Sequence, residues 1–225
     1  MQLFGFLIVA IVIVNFGRCD TTCEVDRVGP NCQFKNIAYK KPSRHDSNID
    51  RPLYSENAND DSLTTCSYTS DKKKAAPWWN LWLSEITTFK KLEFVTIDSR
   101  LSHFPNFEVT VYNTTESNFK LKGPVSGGQV CYNHNNYIPQ STNINVTCNG
   151  SPVGNLIRLQ LHSKRFQLVL CDFRLYGDCF NGFYGSDCQK CSDNCESSKH
   201  QYCDSNNGHC PQGCKPGWEG DRCET

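Results

Sequence analysis

The 225-residue sequence has little charge and no excess of either sign: charged residues make up 20%, with 23 basic side chains against 23 acidic ones. That balance excludes a basic nucleic-acid binder and an acidic disordered tail. Catalytic signatures are absent too. There is no GxSxG, no HExxH and no phosphate loop. The six histidines, at 45, 103, 134, 162, 200 and 209, show no ligand spacing. Acidic neighbours such as Asp60 and Asp61 suit a turn or a cation loop better than an acid/base dyad. The chain therefore reads as a non-enzyme. No stretch carries a capped helical period, and beyond residue 19 no segment approaches the ~20 apolar residues a membrane span needs.

Cysteine is abundant by contrast, at 15, and eight of these fall in the last 47 residues. Such density suits a disulfide scaffold. Residues 3–14 form an apolar run broken only by Gly5, too short to span a bilayer and placed as a secretory signal peptide. Cleavage after Cys19 leaves 14 cysteines, an even number; cleavage after Gly17 is the alternative. Sequons at Asn113, Asn145 and Asn149 agree with a secreted, extracellular glycoprotein.

Three cysteine pairs each enclose eight residues: Cys23 and Cys32, Cys179 and Cys188, and Cys214 and Cys223. Each loop carries a glycine before its closing cysteine, which supplies the positive φ of a tight turn. The shape resembles the closing loop of an EGF-like domain. The tail adds a full set of six, Cys191, Cys195, Cys203, Cys210, Cys214 and Cys223. Six cysteines allow 15 pairings, and spacing does not choose among them. The stretch GHCPQGCKPGWEGDRC resembles modules of multiple-EGF-like and class F scavenger receptors. That resemblance implies Cys191–Cys203, Cys195–Cys210 and Cys214–Cys223. Such modules can bind calcium through an acidic or amide cluster before the first cysteine; Gln189 and Lys190 stand there instead, so no calcium is expected in this module. Zinc at the CxxC of Cys188 and Cys191 is the rival reading, disfavoured outside the cytosol.

Residues 36–177 have ordinary core content and four cysteines, 66, 131, 148 and 171. Short β-branched and aromatic runs at 92–97, 107–112, 156–161 and 166–170 predict strands, and their number predicts an antiparallel sandwich. Here NIAYKKPS, NANDDSLTTCSYT, PWW, FVTIDSR and LVLCDFRLYG appear in the order in which similar segments occur in F-type lectins (fucolectins). The resemblance spans about 140 residues. It implies a jelly-roll β-sandwich of the discoidin, galactose-binding-like kind, with disulfides Cys66–Cys171 and Cys131–Cys148.

It also implies a structural calcium held by Asn57, Asp60, Ser62, Thr65, Cys171 and Asp172, several through backbone carbonyls. The Asn/Asp-rich loop suits such an ion, and it is equally good turn chemistry. The family binds fucose through a His, an Arg-x-Asp and a second basic residue. Here Tyr68 stands at the His position, Arg100 matches the Arg, Ser102 replaces the Asp, and the second basic residue is missing. Two readings stay open: an altered ligand site, with Arg100, Tyr68 and His103 as donors and Phe104 against an apolar sugar face, or no sugar site, with Arg100 facing solvent at a strand end and Phe104 packing the loop. Trp78 and Trp79 read as strand core. Lys72, Lys73 and Lys74 read as a solvated loop.

The organisation expected is thus a signal peptide at 1–19, a partial EGF-like end at 20–35, and an F-type-lectin-like jelly roll at 36–177. An EGF-like closing loop at 178–190 and an EGF-like module at 191–225 follow. The expected function is secreted recognition or adhesion through glycans or cell-surface glycoproteins, of the kind used in innate immunity. The alternatives are an extracellular interaction module without sugar binding and a discoidin-like membrane-surface binder.

Overall fold

A computed structural model describes residues 23, 26–46, 54–70, 75–115, 127–196 and 203–225. The segment expected to be a signal peptide, with Cys19, the lysines at 72–74 and His200 lie outside the described residues. The strands are β1 (Arg27–Val28), β2 (Phe34–Asn36), β3 (Ser43–His45), β4 (Ser67–Tyr68), β5 (Trp78–Thr88), β6 (Lys91–Val95) and β7 (Phe107–Tyr112). β8 (Gln129–His134), β9 (Asn143–Thr147), β10 (Val153–Leu161), β11 (Val169–Leu170), β12 (Asp172–Cys179), β13 (Phe183–Tyr184) and β14 (Gln189–Lys190) complete the set. Two short 3-10 turns cover Ser55–Ala58 and Asp98–His103.

Two five-stranded antiparallel sheets form a sandwich, in the orders β1-β2-β12-β6-β9 and β3-β5-β10-β7-β8. Alternation builds the core between them. One sheet contributes Leu92, Phe94, Ile144, Val146, Phe173 and Leu175; the other contributes Leu81, Val109, Val111, Ile157 and Leu159. Burying one such side chain stabilises by about 1.5–3 kcal/mol. The disulfide Cys131–Cys148 joins β8 to the end of β9, the edge strands of the two sheets, and so closes one side. Cys66–Cys171 ties the long loop before β4 to the start of β12.

The runs expected at 107–112 and 156–161 are strand in β7 and β10. The run at 166–170 is strand only from Val169. Phe166 N donates to Ser163 O in a turn, and Phe166 leaves the sheet. The boundaries drawn at 35/36 and 177/178 fall inside β2 and β12. These strands pair with each other at Asn36↔Tyr176 and Phe34↔Cys179. The first cysteine loop is thus an extension of the sandwich sheet. Val28, Phe34 and Cys188 form a small cluster with Tyr176, Cys179 and Phe183 beside it.

The three eight-residue loops share one backbone. Positive φ recurs at Asp26, Gly29 and Cys32, at Gly182, Gly185 and Cys188, and at Gly217, Gly220 and Cys223. In each, the closing cysteine N donates to the O of the glycine three residues earlier. The disulfides are Cys23–Cys32, Cys179–Cys188 and Cys214–Cys223. The tail adds Cys191–Cys203 and Cys195–Cys210. These seven pairs are the ones written above from spacing and resemblance.

Candidate functional site

One end of the sandwich gathers the loops that precede β7, follow β8 and follow β10. The turn Asp98–His103 leads into Phe104, which is fully buried against Phe94 and Phe107 at 5.7 and 6.1 Å. Phe104 therefore anchors the loop and offers no face to a ligand, which is the loop-packing reading and not the sugar-face one. It leaves Arg100 and His103 half-buried at the rim. His103 Nδ1 lies 2.9 Å from Gln167 O, and His103 Nε2 lies 3.5 Å from Arg100 Nη1. A guanidinium only donates, so Nε2 accepts and Nδ1 carries the proton. Phe166 stacks on the imidazole, with centroids 5.0 Å apart and planes at 22°.

Gln167 extends the chain of contacts: its Nε2 donates to Thr69 O at 2.7 Å. Thr69 follows Tyr68, and Tyr68 pairs with Val169 across β4 and β11. The three residues named from sequence thus reach the same end of the molecule, but His103 spends its one N–H on Gln167 O and is no donor for a ligand, contrary to that part of the expectation. Tyr68 is half-buried, and its hydroxyl has no hydrogen-bond partner among the described residues. Arg100 Nε is likewise buried without one. Ser102 is exposed beside them. Phe166 and Gln167 were missed by the sequence reading; an apolar run ending in Val-Leu gave no sign that its first residue would leave the sheet.

The same end displays Tyr137 and Ile138, 59% and 50% exposed. Asn106 holds their loop through Asn136 N, which donates to Asn106 Oδ1 at 2.9 Å. Asn113 and Asn149 are exposed just past the far ends of β7 and β9, away from Arg100. Asn145 is exposed on the edge strand β9. Trp78 and Trp79 are 5% and 1% exposed, and Trp79 Nε1 donates to Ser55 O at 3.0 Å, so neither presents a stacking face.

The loop before β4 carries the oxygens named for calcium. Asp60 Oδ1 accepts from Ser62 N at 3.0 Å, and Asp60 Oδ2 accepts from Thr65 Oγ1 at 2.7 Å. Asn57 Nδ2 donates to Cys66 O at 3.3 Å. Asp61, with φ of 63°, is the loop carboxylate that turns toward β12. There Arg174 spans three carboxylates: Asp172 at 2.6 Å, Glu93 at 3.0 Å and Asp61 at 3.3 Å. Tyr176 Oη donates to Glu93 Oε2 at 3.1 Å. Burial pushes the Asp172 carboxyl up to about 6, against the pull of Arg174 and with help from the Asp61 charge.

In kind, the oxygens of Asn57, Asp60, Ser62, Thr65, Cys171 and Asp172 are hard donors of the sort calcium takes; Asp61, Glu93 and Asp172 gather round Arg174 instead of converging on a common point. Asp172 Oδ2 is buried and, although close to Arg174 Nε, receives no aligned hydrogen bond. Asp61, Glu93 and Arg174 were absent from the sequence-derived set. In the tail, the sulfurs of Cys195, Cys210 and Cys223 lie within 4.8 Å of one another, but all three are in disulfides and hold no metal.

No protein-family model matches the chain, and no curated protein matches it in sequence. Solved structures do match. A chitosan-binding module from a chitosanase/glucanase of Paenibacillus sp. IK-5 is similar with a TM-score of 0.51 at 14% identity, covering 63% of this chain and 98% of that one. A fucose-binding module of Streptococcus pneumoniae gives 0.50 at 15%, covering 64% and 95%. A fucolectin from striped bass (Morone saxatilis) serum gives 0.50 at 18%, covering 65% of this chain and 50% of that one. At such identities the likeness speaks for the fold, and that fold is an all-β sandwich of the F-type-lectin and carbohydrate-binding-module kind.

Proposed function

We propose that the protein is a secreted recognition protein that binds glycans, including those of cell-surface glycoproteins, at the loop end marked by Arg100, Tyr68 and His103. The observation that carries this is the fixed chain Arg100–His103–Gln167 with Phe166 stacked on it. A sugar needs oriented donors for its hydroxyls and an apolar surface for its ring face. Arg100 and Tyr68 supply donors and Phe166 an aromatic edge. The neighbouring modules named for chitosan and fucose binding support the ligand class. The expected role is adhesion or innate recognition, with the tail as an EGF-like module.

Calcium, held by the oxygens of Asn57, Asp60, Ser62, Thr65, Cys171 and Asp172, supplies charge that ties the loop to β12. Rigid loops lower the ordering cost of binding. Seven disulfides fit an oxidising compartment. Among the described residues no helix is long and apolar enough to cross a membrane. A second reading, contact with a membrane surface, now rests on Tyr137 and Ile138 in place of Phe104.

An array of fucosylated glycans and chito-oligosaccharides, probed with and without chelator, tests the proposal. Saturable glycan binding that falls at least about tenfold in Arg100→Ala, with Tm unchanged, supports it. Equal binding by wild type and variant refutes the site. Binding to liposomes with no glycan signal selects the membrane reading.

A further inference from the structure

The two large sheets end in edge strands, β1 and β9 on one, β3 and β8 on the other. An open edge is a template for a strand of another chain, and proteins blunt it with shortness, charge, proline or a bulge. Three of these edges carry such a device. β1 has two residues, one of them Arg27. β3 has three, with Arg44 and His45 among them. β8 bulges at Cys131, since Val109 pairs with Tyr132 and Thr110 with Val130, and Asn149 N donates to Cys131 O beside the bulge.

β9 has none of these. Its five residues, Asn143-Ile-Asn-Val-Thr147, include no charge and no proline. They pair with β6 in unbroken register, from Thr147↔Lys91 to Asn143↔Val95. The direction of the backbone groups follows from that pairing. Thr142 O accepts from Thr96 N, and Cys148 N donates to Lys90 O, so the even-numbered positions face β6. The N–H and C=O groups of Asn145 and Thr147 therefore point off the sheet, with no backbone partner among the described residues.

The side chains of the same strand alternate. Ile144 and Val146 lie in the core, whereas Asn143, Asn145 and Thr147 are exposed on the outer face. Asn145 and Thr147 are the acceptor and the hydroxyl of a sequon. The period of two sets them side by side in solvent, at the middle of the one unguarded edge. Asn113 and Asn149 lie past the ends of β7 and β9 and cover no edge.

We propose that an N-linked glycan on Asn145 is the guard of this edge, and that without it two copies of the chain pair through β9. A two-fold pairing sets Asn145 opposite Asn145, on the same face, with Cα atoms about 5.5 Å apart. Two glycans do not fit in that space. The modification joins Asn145 Nδ2 to C1 of a sugar borne on a lipid diphosphate. The C1–O bond breaks, the lipid diphosphate leaves with the bonding pair, and the amide loses one proton. The inference rests on the secreted part of the reading above and not on the glycan-binding site at Arg100.

Peptide masses of the chain secreted by a eukaryotic host, with and without enzymatic removal of N-glycans, test the first half. Asn145 should be filled. Light scattering on size-separated protein tests the second. Wild type should be monomeric, and Asn145→Gln and Thr147→Ala, each of which deletes the sequon, should dimerise as concentration rises. In the Asn145→Gln dimer the Thr147 amide, now donating to Asn143 O of the second copy, should exchange at least about tenfold more slowly than in wild type. Asn145→Lys should restore the monomer without a glycan, because two ammonium groups then meet across the seam. Asn145 empty while Asn113 is filled overturns this inference alone; every sequon empty overturns it together with the secreted reading. A filled wild type that dimerises, sequon deletions that stay monomeric, or an Asn145→Lys that pairs as Asn145→Gln does, also overturns it.

Discussion

The sandwich fully buries Phe94, Phe104, Phe107 and Phe173, whereas the buried cluster of the tail consists of Cys195, Cys210 and Cys223. Both regions are built from short extended segments and tight turns, yet different forces hold them. About 140 residues can enclose two facing sheets of apolar side chains. A module of about 35 residues cannot bury enough surface and must constrain its unfolded state with cross-links instead. The first cysteine loop shows the intermediate case. Its backbone repeats that of the tail loop, but Val28 is fully buried because β1 and β2 extend the sandwich sheet. In the third loop the corresponding position is Glu219, which is exposed.

Reduction should break the comparison most sharply. Each bridge of a small module contributes roughly 2–5 kcal/mol, and the tail has three with little else beneath them. Graded thiol treatment should unfold residues 191–225 first, seen as new proteolytic cuts there, while the sandwich keeps its thermal transition. Removing Cys66–Cys171, whose partners are 105 residues apart, should lower the stability of the sandwich by about 4–5 kcal/mol without opening the tail. A single transition in which both regions melt together under mild reduction would show that the two are not separate in stability.

The sandwich also contains a polar centre, and Arg174 tests whether charge matters there as much as apolar packing. Arg174→Gln leaves Asp61, Glu93 and Asp172 facing one another without a cation. Breaking a largely buried ion network in this way costs about 3–5 kcal/mol. If calcium binds as proposed, a chelator should lower the Tm of the native protein, and calcium should recover part of the Arg174→Gln loss. A ligand at one hundred times its Kd stabilises by about 2.7 kcal/mol. Identical melting with calcium and with chelator, in both proteins, sinks the calcium proposal and leaves Arg174 as the sole counter-charge.

Residues differ in how far their neighbours in sequence reveal their place. Phe107, Val109 and Val111 alternate with polar or outward positions, so β7 was legible from period alone. Phe166 was not, because an apolar residue before a strand looks the same whether it joins the ladder or stacks on His103, 63 positions earlier in the chain. The cysteine spacing revealed the three loops but not that β2 would pair with β12, since Asn36 and Tyr176 meet only in the folded sheet. Arg174 was overlooked for the same reason: its Glu93 partner is 81 residues away. At the candidate ligand site, Arg100 and the place of Tyr68 came from the resemblance and His103 was named only as a substitute donor, while Gln167, whose carbonyl lies against His103, was not named at all.

The smallest expected effect concerns the seam between the two regions. Tyr184, from the closing loop, is the residue on which the tail rests. Arg222 lies over its ring at 4.9 Å and donates to its hydroxyl at 3.3 Å. Gly185 N donates to Ser205 O at 2.8 Å beside it. Gly208 approaches the same ring so closely that an added Cβ would lie 2.8 Å from it, and its φ is +77°. Gly208→Ala therefore meets two obstacles, a left-handed backbone that costs about 1–2 kcal/mol and an aromatic ring that must move. The disulfides of the tail remain, so the module itself should stay folded. What should change is its attachment: faster amide exchange at Gly185 and Arg222, a shift of roughly 1–2 kcal/mol in the tail's local opening, and no change in the sandwich transition. Loss of stability in the sandwich instead would mean that the seam, and not the core alone, holds it together.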